Sequence, residues 1–181
     1  MPRLPQLTQK DQLPEAHHDV VDYLVKTRGR VSDGFSVLLN SPDLAGRIAH
    51  TGSYVRFESS LPREIHELSA LTASTEIGNA YERGIHTRDL ADLGVDEKLV
   101  QAVIRREPVD AFPAELTLPV RAGRELLRDK RLSPATFDEA RQRLGDQGVV
   151  DLIADIGYYT MLGCLHVGLG VSEDAEKAAG A

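Results

Sequence analysis

Residues 147–171, QGVVDLIADIGYYTMLGCLHVGLGV, are apolar over nearly their whole length. Two aspartates, two tyrosines and one histidine are the main interruptions. A helix that is apolar on most sides belongs in an interior. The remaining elements must therefore be able to wrap around it, and the rest of the sequence has the periodicity to do so.

That periodicity is helical throughout. Apolar residues Val20, Val21, Leu24 and Val25 follow helical spacing and end at Gly29. In SPDLAGRIAHTGSYVRFE, Ser41 stands at a cap position and Pro42 at the first helical position. The longest pattern runs through Leu61, Ile65, Leu68 and Leu71 to Gly78, then resumes through Tyr81, Ile85 and Leu90 to Gly94. Asp96 caps a short helix carrying Leu99, Val100 and Val103, stopped by Pro108. FPAELTLPVRAGRELLRDK is helical if Pro119 sits near a start or a kink. Ser133 and Pro134 open SPATFDEARQRLG in the same way as Ser41 and Pro42. No alternating strand pattern competes, so the expected fold class is all-α. An N-terminal arm over 1–13, a helical domain over 14–172 and a flexible tail over 173–181 are the expected divisions.

Bulk properties narrow the function. A formal net charge of −7 disfavours a general nucleic-acid partner, which would need clustered Lys and Arg. With 41% hydrophobic and 27% charged residues, the composition is that of an ordinary globular domain. Aromatic residues are 5% and Trp is absent, so the core should be built from Leu, Val, Ile and Ala. The single cysteine, Cys164, cannot form an intrachain disulfide or a Cys-x-x-Cys site. No apolar run approaches the ~18 residues of a membrane span. The start also lacks a signal peptide's apolar core. A soluble, cytoplasmic protein with no membrane partner is the expectation.

The candidate chemistry lies in GNAYERGIH, residues 78–86. Glu82 and His86 are four apart and share one helix face, beside Tyr81 and Ile85. On spacing alone an exposed ion pair is the ordinary reading. The alternative is a proton-transfer pair, since a carboxylate in apolar surroundings has a raised pKa and can exchange a proton with an imidazole near neutral pH. At ~100° per residue, Glu64 falls in the middle of the Leu61/Ile65/Leu68/Leu71 stripe and Glu67 at its margin. His17, His18 and Asp22 read as an exposed helix face rather than a metal pair. His166 reads as a satisfied core histidine, with a pocket as the alternative, and Cys164 as a small buried side chain. No phosphate loop, His-Glu-x-x-His or nucleophile elbow is present. The histidines are scattered over different segments, so no metal site is expected.

LPREIHELSALTASTEIGNAYERGIHTRDLADLGV resembles the core of the carboxymuconolactone decarboxylase family. There a Glu-bearing helix leads without gaps to Tyr-Glu-Trp-x-x-His and an Ala-rich helix ending in Gly-Val. SPDLAGRIAHTGSYVRFESSLP resembles the family's entry helix, and LGDQGVVDLIADIGYYTMLGCLHVGLGV its closing helix. The resemblance covers roughly residues 31–172. It implies an alkylhydroperoxidase D-like helical bundle. In that superfamily's peroxidases, two catalytic cysteines would fall on Asn79 and Glu82, the histidine on His86 and the relay glutamate on Glu67. With neither thiol in place, peroxidase chemistry is not expected. Arg83 stands where the decarboxylases usually have Trp, which alters either the pocket or a subunit contact.

What the resemblance implies is a carbon–carbon lyase that needs no metal or organic cofactor. A β,γ-unsaturated lactone acid would lose CO₂ to give a dienolate, which then regains a proton at carbon. Glu82, His86 and Glu67 would be the catalytic residues. Arg83, Tyr81, Asn79 and Arg56 would be candidates for binding a small anionic substrate. Isomerisation, cyclisation or dehydration of another unsaturated carbonyl compound would use the same pair, and a non-catalytic oligomeric binding protein would keep the fold. The resemblance further implies a homotrimer or homohexamer, with one face of helix 148–169 or of the 62–92 pair against another subunit.

Overall fold

The computed structural model describes residues 1–171, so the expected tail over 173–181 lies outside the described residues. Eight α-helices follow in order: α1 (His18–Arg28), α2 (Asp33–Leu38), α3 (Pro42–Ser53), α4 (Arg63–Ile77), α5 (Ala80–Asp92), α6 (Glu97–Ile104), α7 (Ala114–Arg124) and α8 (Pro134–Leu169). Single π-helical turns extend α3 over Tyr54–Glu58 and α7 over Glu125–Asp129. Among the described residues there is no strand, as the all-α expectation required. The punctuation also lies where the sequence put it. Gly78 ends α4 in a left-handed conformation (φ 78°), Asp96 caps α6 through the Lys98 amide, and Ser133 caps α8 through that of Thr136. Within α8, Gly145 (φ 72°, ψ 177°) interrupts the helix, dividing it into the two segments that the periodicity distinguished.

The helix at the centre of the bundle is α4. Every residue from Ile65 to Thr75 is buried. α4 packs against α5, α7 and α8 at once. Ile65, Ala70 and Ala73 join a large core with Leu118, Leu152 and Ile156, while Leu68 and Leu71 join a second with Leu90, Leu99 and Val103. The small residues Ser69, Ala70, Thr72 and Ala73 let neighbouring helices approach on all sides. This corrects the angular reading of the two glutamates. Glu64 is only half-buried, whereas Glu67, expected at a margin, is 0% exposed. A margin exists only for a helix with a solvent face, and α4 has almost none.

Three other expectations change. Pro119 lies in the second turn of α7 and the helix continues past it to Arg124. A proline there forfeits one backbone bond, and its ring is packed in the interior. Cys164 is exposed rather than buried. By length and composition α8 is apolar enough to cross a membrane, contrary to the expectation for this chain, yet 56% of that stretch is buried within the fold. Asp151, Asp155, Tyr158 and His166 all lie on its inward side. The arm over 1–13 is held to the body by the Arg3 amide donating to the Leu169 carbonyl (2.8 Å) and the Leu7 amide to that of Ser36 (2.9 Å).

The second segment of α8 approaches the end of α4 through Gly163, where an added Cβ would collide with the side chain of Ile77. We expect Gly163→Ala to destabilise the fold by about 1–3 kcal/mol through overpacking. Chemical denaturation should show it as a lower midpoint, and an unchanged midpoint would place the α4–α8 contact elsewhere.

Candidate functional site

A sharp corner builds the site. Gly78 ends α4, and the side chain of Asn79 caps α5 by accepting the Glu82 amide at 3.4 Å. α5 is thereby returned along α4, and its Glu82/His86 face meets Glu67. The His86 imidazole, 0% exposed, lies between two carboxylates: Nδ1 is 2.5 Å from Glu67 Oε2 and Nε2 is 3.5 Å from Glu82 Oε2. The second oxygen of Glu67 forms an ion pair with Arg63, whose Nη2 lies 2.7 Å away. The second oxygen of Glu82 is 3.5 Å from Nδ1 of His166. The exposed ion pair that spacing alone favoured is therefore a buried array.

Burial by itself would push the His86 pKa down. Hydrogen bonds and charge from Glu67 and Glu82 outweigh it and raise the imidazole to about 9. Burial would push both carboxylates up, and in each case the His86 hydrogen bond and nearby positive charge overcome it and hold the group below its usual range. Burial lowers His166, with Glu82 opposing only in part. At neutral pH the site therefore holds two carboxylates, an imidazolium at His86 and a neutral imidazole at His166.

The array opens on a cavity of about 300 Å³. Glu82, Tyr81, Tyr158, Tyr159 and His166 form its inner wall, and Arg28, Arg30, Arg56, Arg88 and Asp89 bring charge to it. Arg56 sits on the π-helical turn after α3, a widened turn of the kind often found at functional sites. Its Nη2 is 3.5 Å from Asp89. Arg28 is held by the Ala49 carbonyl (2.8 Å) and lies over the Phe35 ring. His86 and Glu67 lie behind this wall, so of the three expected catalytic residues only Glu82 faces the cavity.

The remaining candidates separate clearly. Tyr81 lines the cavity with its ring edge-on to His166 (5.3 Å between centroids). Asn79 is buried, and its side-chain nitrogen lies 3.4 Å from Nδ1 of His166. Arg56 is in the wall. Arg83 is not: half-buried and ~100° around α5 from Glu82, it lies outside the lining. His166 is in the pocket, correcting its reading as a core histidine. Gly34 makes room for it, since an added Cβ would stand 2.6 Å from Nε2. His17 and His18 lie away from the cavity; the nearest partners are Asp43 at 4.0 Å and the Leu13 carbonyl at 3.2 Å. Glu67, His86 and Asp89 do place ligand atoms within 4.8 Å of one another, a grouping that their separation in sequence did not suggest. The Arg63 guanidinium bridges both of those carboxylates, at 2.7 and 3.5 Å, and already supplies positive charge there.

Tyr159, Tyr158, Arg28, Arg30 and Arg88 were missed by the sequence reading. A signal existed for one group. Asp155, Tyr159 and His166 recur at steps of four and seven along the apolar helix, which places them on one face. The arginines come from three segments and carry no shared spacing.

Residues 42–118 match the family model described as the carboxymuconolactone decarboxylase family, as the sequence resemblance implied. No curated protein matches the chain. Among solved structures, an uncharacterized peroxidase-related protein from Silicibacter sp. TM1040 is similar with a TM-score of 0.72 at 16% identity, over 93% of this chain and 90% of that one. The debrominase Bmp8 is similar with a TM-score of 0.67 at 18% identity, over 94% and 92%. A Cys-to-Ala form of Bmp8 in complex with 2,3,4-tribromopyrrole gives the same TM-score at 16% identity. At these identities the likeness is one of fold.

His86 owes its high pKa to Glu67 before Glu82. Glu67→Gln should therefore move the His86 titration down from about 9 toward the ordinary ~6.5. Histidine-ring NMR across pH measures it, and an unmoved midpoint would mean that the two side chains do not share a proton.

Proposed function

With residues 42–118 matching the carboxymuconolactone decarboxylase family, we propose that the chain is a cofactor-independent enzyme that moves a proton on a small anionic unsaturated lactone or carbonyl acid. The observation that carries this is the buried Glu67–His86–Glu82 array ending at an arginine-lined cavity. The arginines supply attraction for an anion despite the overall negative charge. Glu82 is the group that meets substrate, and His86 is the proton store behind it.

In the decarboxylation reading, the bond between the substrate's ring carbon and its carboxylate breaks. CO₂ departs and the electron pair is delocalised into the lactone as a dienolate. A proton then moves from His86 to Glu82 and from Glu82 to carbon, and solvent restores the proton to His86. Glu67 orients His86 and favours its charged form. Isomerisation of another unsaturated carbonyl compound uses the same groups, with Glu82 removing a proton at one carbon and returning it at another.

A second proposal concerns assembly. Val150, Ile153, Ala154, Gly157, Met161, Cys164, Val167 and Gly168 form one exposed face of α8, and none of them is charged. Val150 alone is 65% exposed. A continuous apolar stripe of this length suits a neighbouring subunit better than water. We propose a homo-oligomer, most simply threefold, with this stripe in its interface.

Two measurements address these proposals. Loss of CO₂, or uptake of solvent deuterium, should be followed for a panel of β,γ-unsaturated lactones with and without a ring carboxylate. We expect turnover of a carboxylated member and a fall of roughly 10²–10⁴-fold in Glu82→Gln. A Glu82→Gln protein that retains wild-type turnover would contradict the assignment. For assembly, light scattering should give a multiple of the 19.8 kDa chain mass, reduced by Val150→Arg. An active species of single-chain mass would contradict the interface.

A further inference from the structure

Two hydrogen-bond donors in the cavity wall are buried without a partner. One is the hydroxyl of Tyr159, a residue 1% exposed on the inward face of α8. Its ring stands edge-on to His86 (4.5 Å between centroids, 89°) and to Tyr158 (5.3 Å), so packing fixes its position from both sides. The other is Nε of Arg56, on the π-helical turn after α3. The guanidinium end of Arg56 is paired with Asp89 through Nη2, while its Nε–H is buried without a bond. Both side chains line the same cavity.

Buried donors are nearly always paired in a folded protein, because an unpaired one gives up its bonds to water for nothing. Two in a single cavity wall call for an acceptor supplied from outside the chain. Each offers one N–H or O–H rather than a fork, so the pair suits one oxygen atom better than a whole carboxylate. Burial keeps the Tyr159 hydroxyl protonated, so toward an anion it can only donate.

We propose that the Tyr159 hydroxyl and the Arg56 Nε–H form an oxyanion site that binds the enolate oxygen of a small unsaturated carbonyl substrate. The catalytic part of this inference rests on the proton-transfer reading of Glu82. Charge developing on the carbonyl oxygen, as CO₂ or a proton leaves the neighbouring carbon, is met by two fixed donors in a site largely closed to water. Glu82, in the same cavity, then faces the carbon of the enolate while the oxygen is held by Tyr159 and Arg56.

The test uses 4-nitrophenol, whose ionisation is visible in its absorbance and whose phenolate presents a single charged oxygen on a planar ring. The wild-type protein should bind the phenolate in preference to the phenol. Tyr159→Phe, which removes only the hydroxyl, should bind it roughly 10- to 100-fold more weakly with an unchanged melting temperature. Arg56→Lys, which keeps the charge and removes the Nε–H, should weaken it in the same direction. With a lactone that the wild type turns over, Tyr159→Phe should lower kcat by roughly 10²–10³-fold while KM changes far less. Phenolate affinity in Tyr159→Phe equal to that of the wild type, or no preference for phenolate in the wild type, would overturn the oxyanion site even if turnover still required Glu82. Weakened phenolate binding in Tyr159→Phe, alongside turnover indifferent to Glu82→Gln, would uphold the oxyanion site and overturn the proton-transfer reading instead.

Discussion

The contact on which the rest of this structure depends is the 2.5 Å approach of Glu67 to His86 inside a helix bundle. A carboxylate taken out of water is costly unless it is paired and hydrogen-bonded. Glu67 is at the centre of the most enclosed helix, so its partners must all come from the chain. Arg63 supplies one from a turn earlier on α4, and His86 supplies the other from α5. The left-handed Gly78 and the Asn79 cap are what return α5 to within reach. Small residues on α4 then allow α7 and α8 to close over the pair, which keeps water away and the interaction strong.

In the proposed reaction, the same pairing sets the direction of proton flow. An imidazole between two carboxylates retains its proton at neutral pH, so His86 is a source rather than an acceptor. Glu82 lies 3.5 Å from His86 and lines the cavity, which makes it the route between them in that proposal. A third buried imidazole, besides His86 and His166, extends the network away from the cavity. His66 lies 3.7 Å from Glu67 and 3.1 Å from Asp155, and Asp155 in turn accepts from the Ser69 hydroxyl. Carboxylate and imidazole thus alternate from the cavity to α8, binding the three central helices through polar as well as apolar contact.

Helix boundaries were legible because glycine, proline and cap residues act locally. Gly78, Asp96 and Ser133 do in three dimensions what their chemistry dictates in one. The pairing of Glu82 with His86 was legible as a shared face, and its burial was implied only by the family resemblance. Burial of Glu67 was misjudged because an angular argument assumes one wet side, and α4 is enclosed by three helices. The run of small residues in SALTAST carried that information more faithfully than the leucine stripe did. Cys164 was placed on the wrong side of α8 for a related reason. A segment apolar all round offers no contrast from which to read an inside and an outside. Apart from Arg56, the cavity arginines were out of reach of any spacing argument, since Arg28, Arg30 and Arg88 converge from α1, the turn after it, and α5.

The central claim is that the proton used at the cavity is stored on His86. For a lactone that the protein turns over, the pH dependence of kcat tests it most directly. The account predicts a rate that is sustained through neutral pH and falls as pH rises through about 9, where His86 loses its proton. A rate that keeps rising through that range would show that the group in use must be deprotonated to act, and would contradict the account.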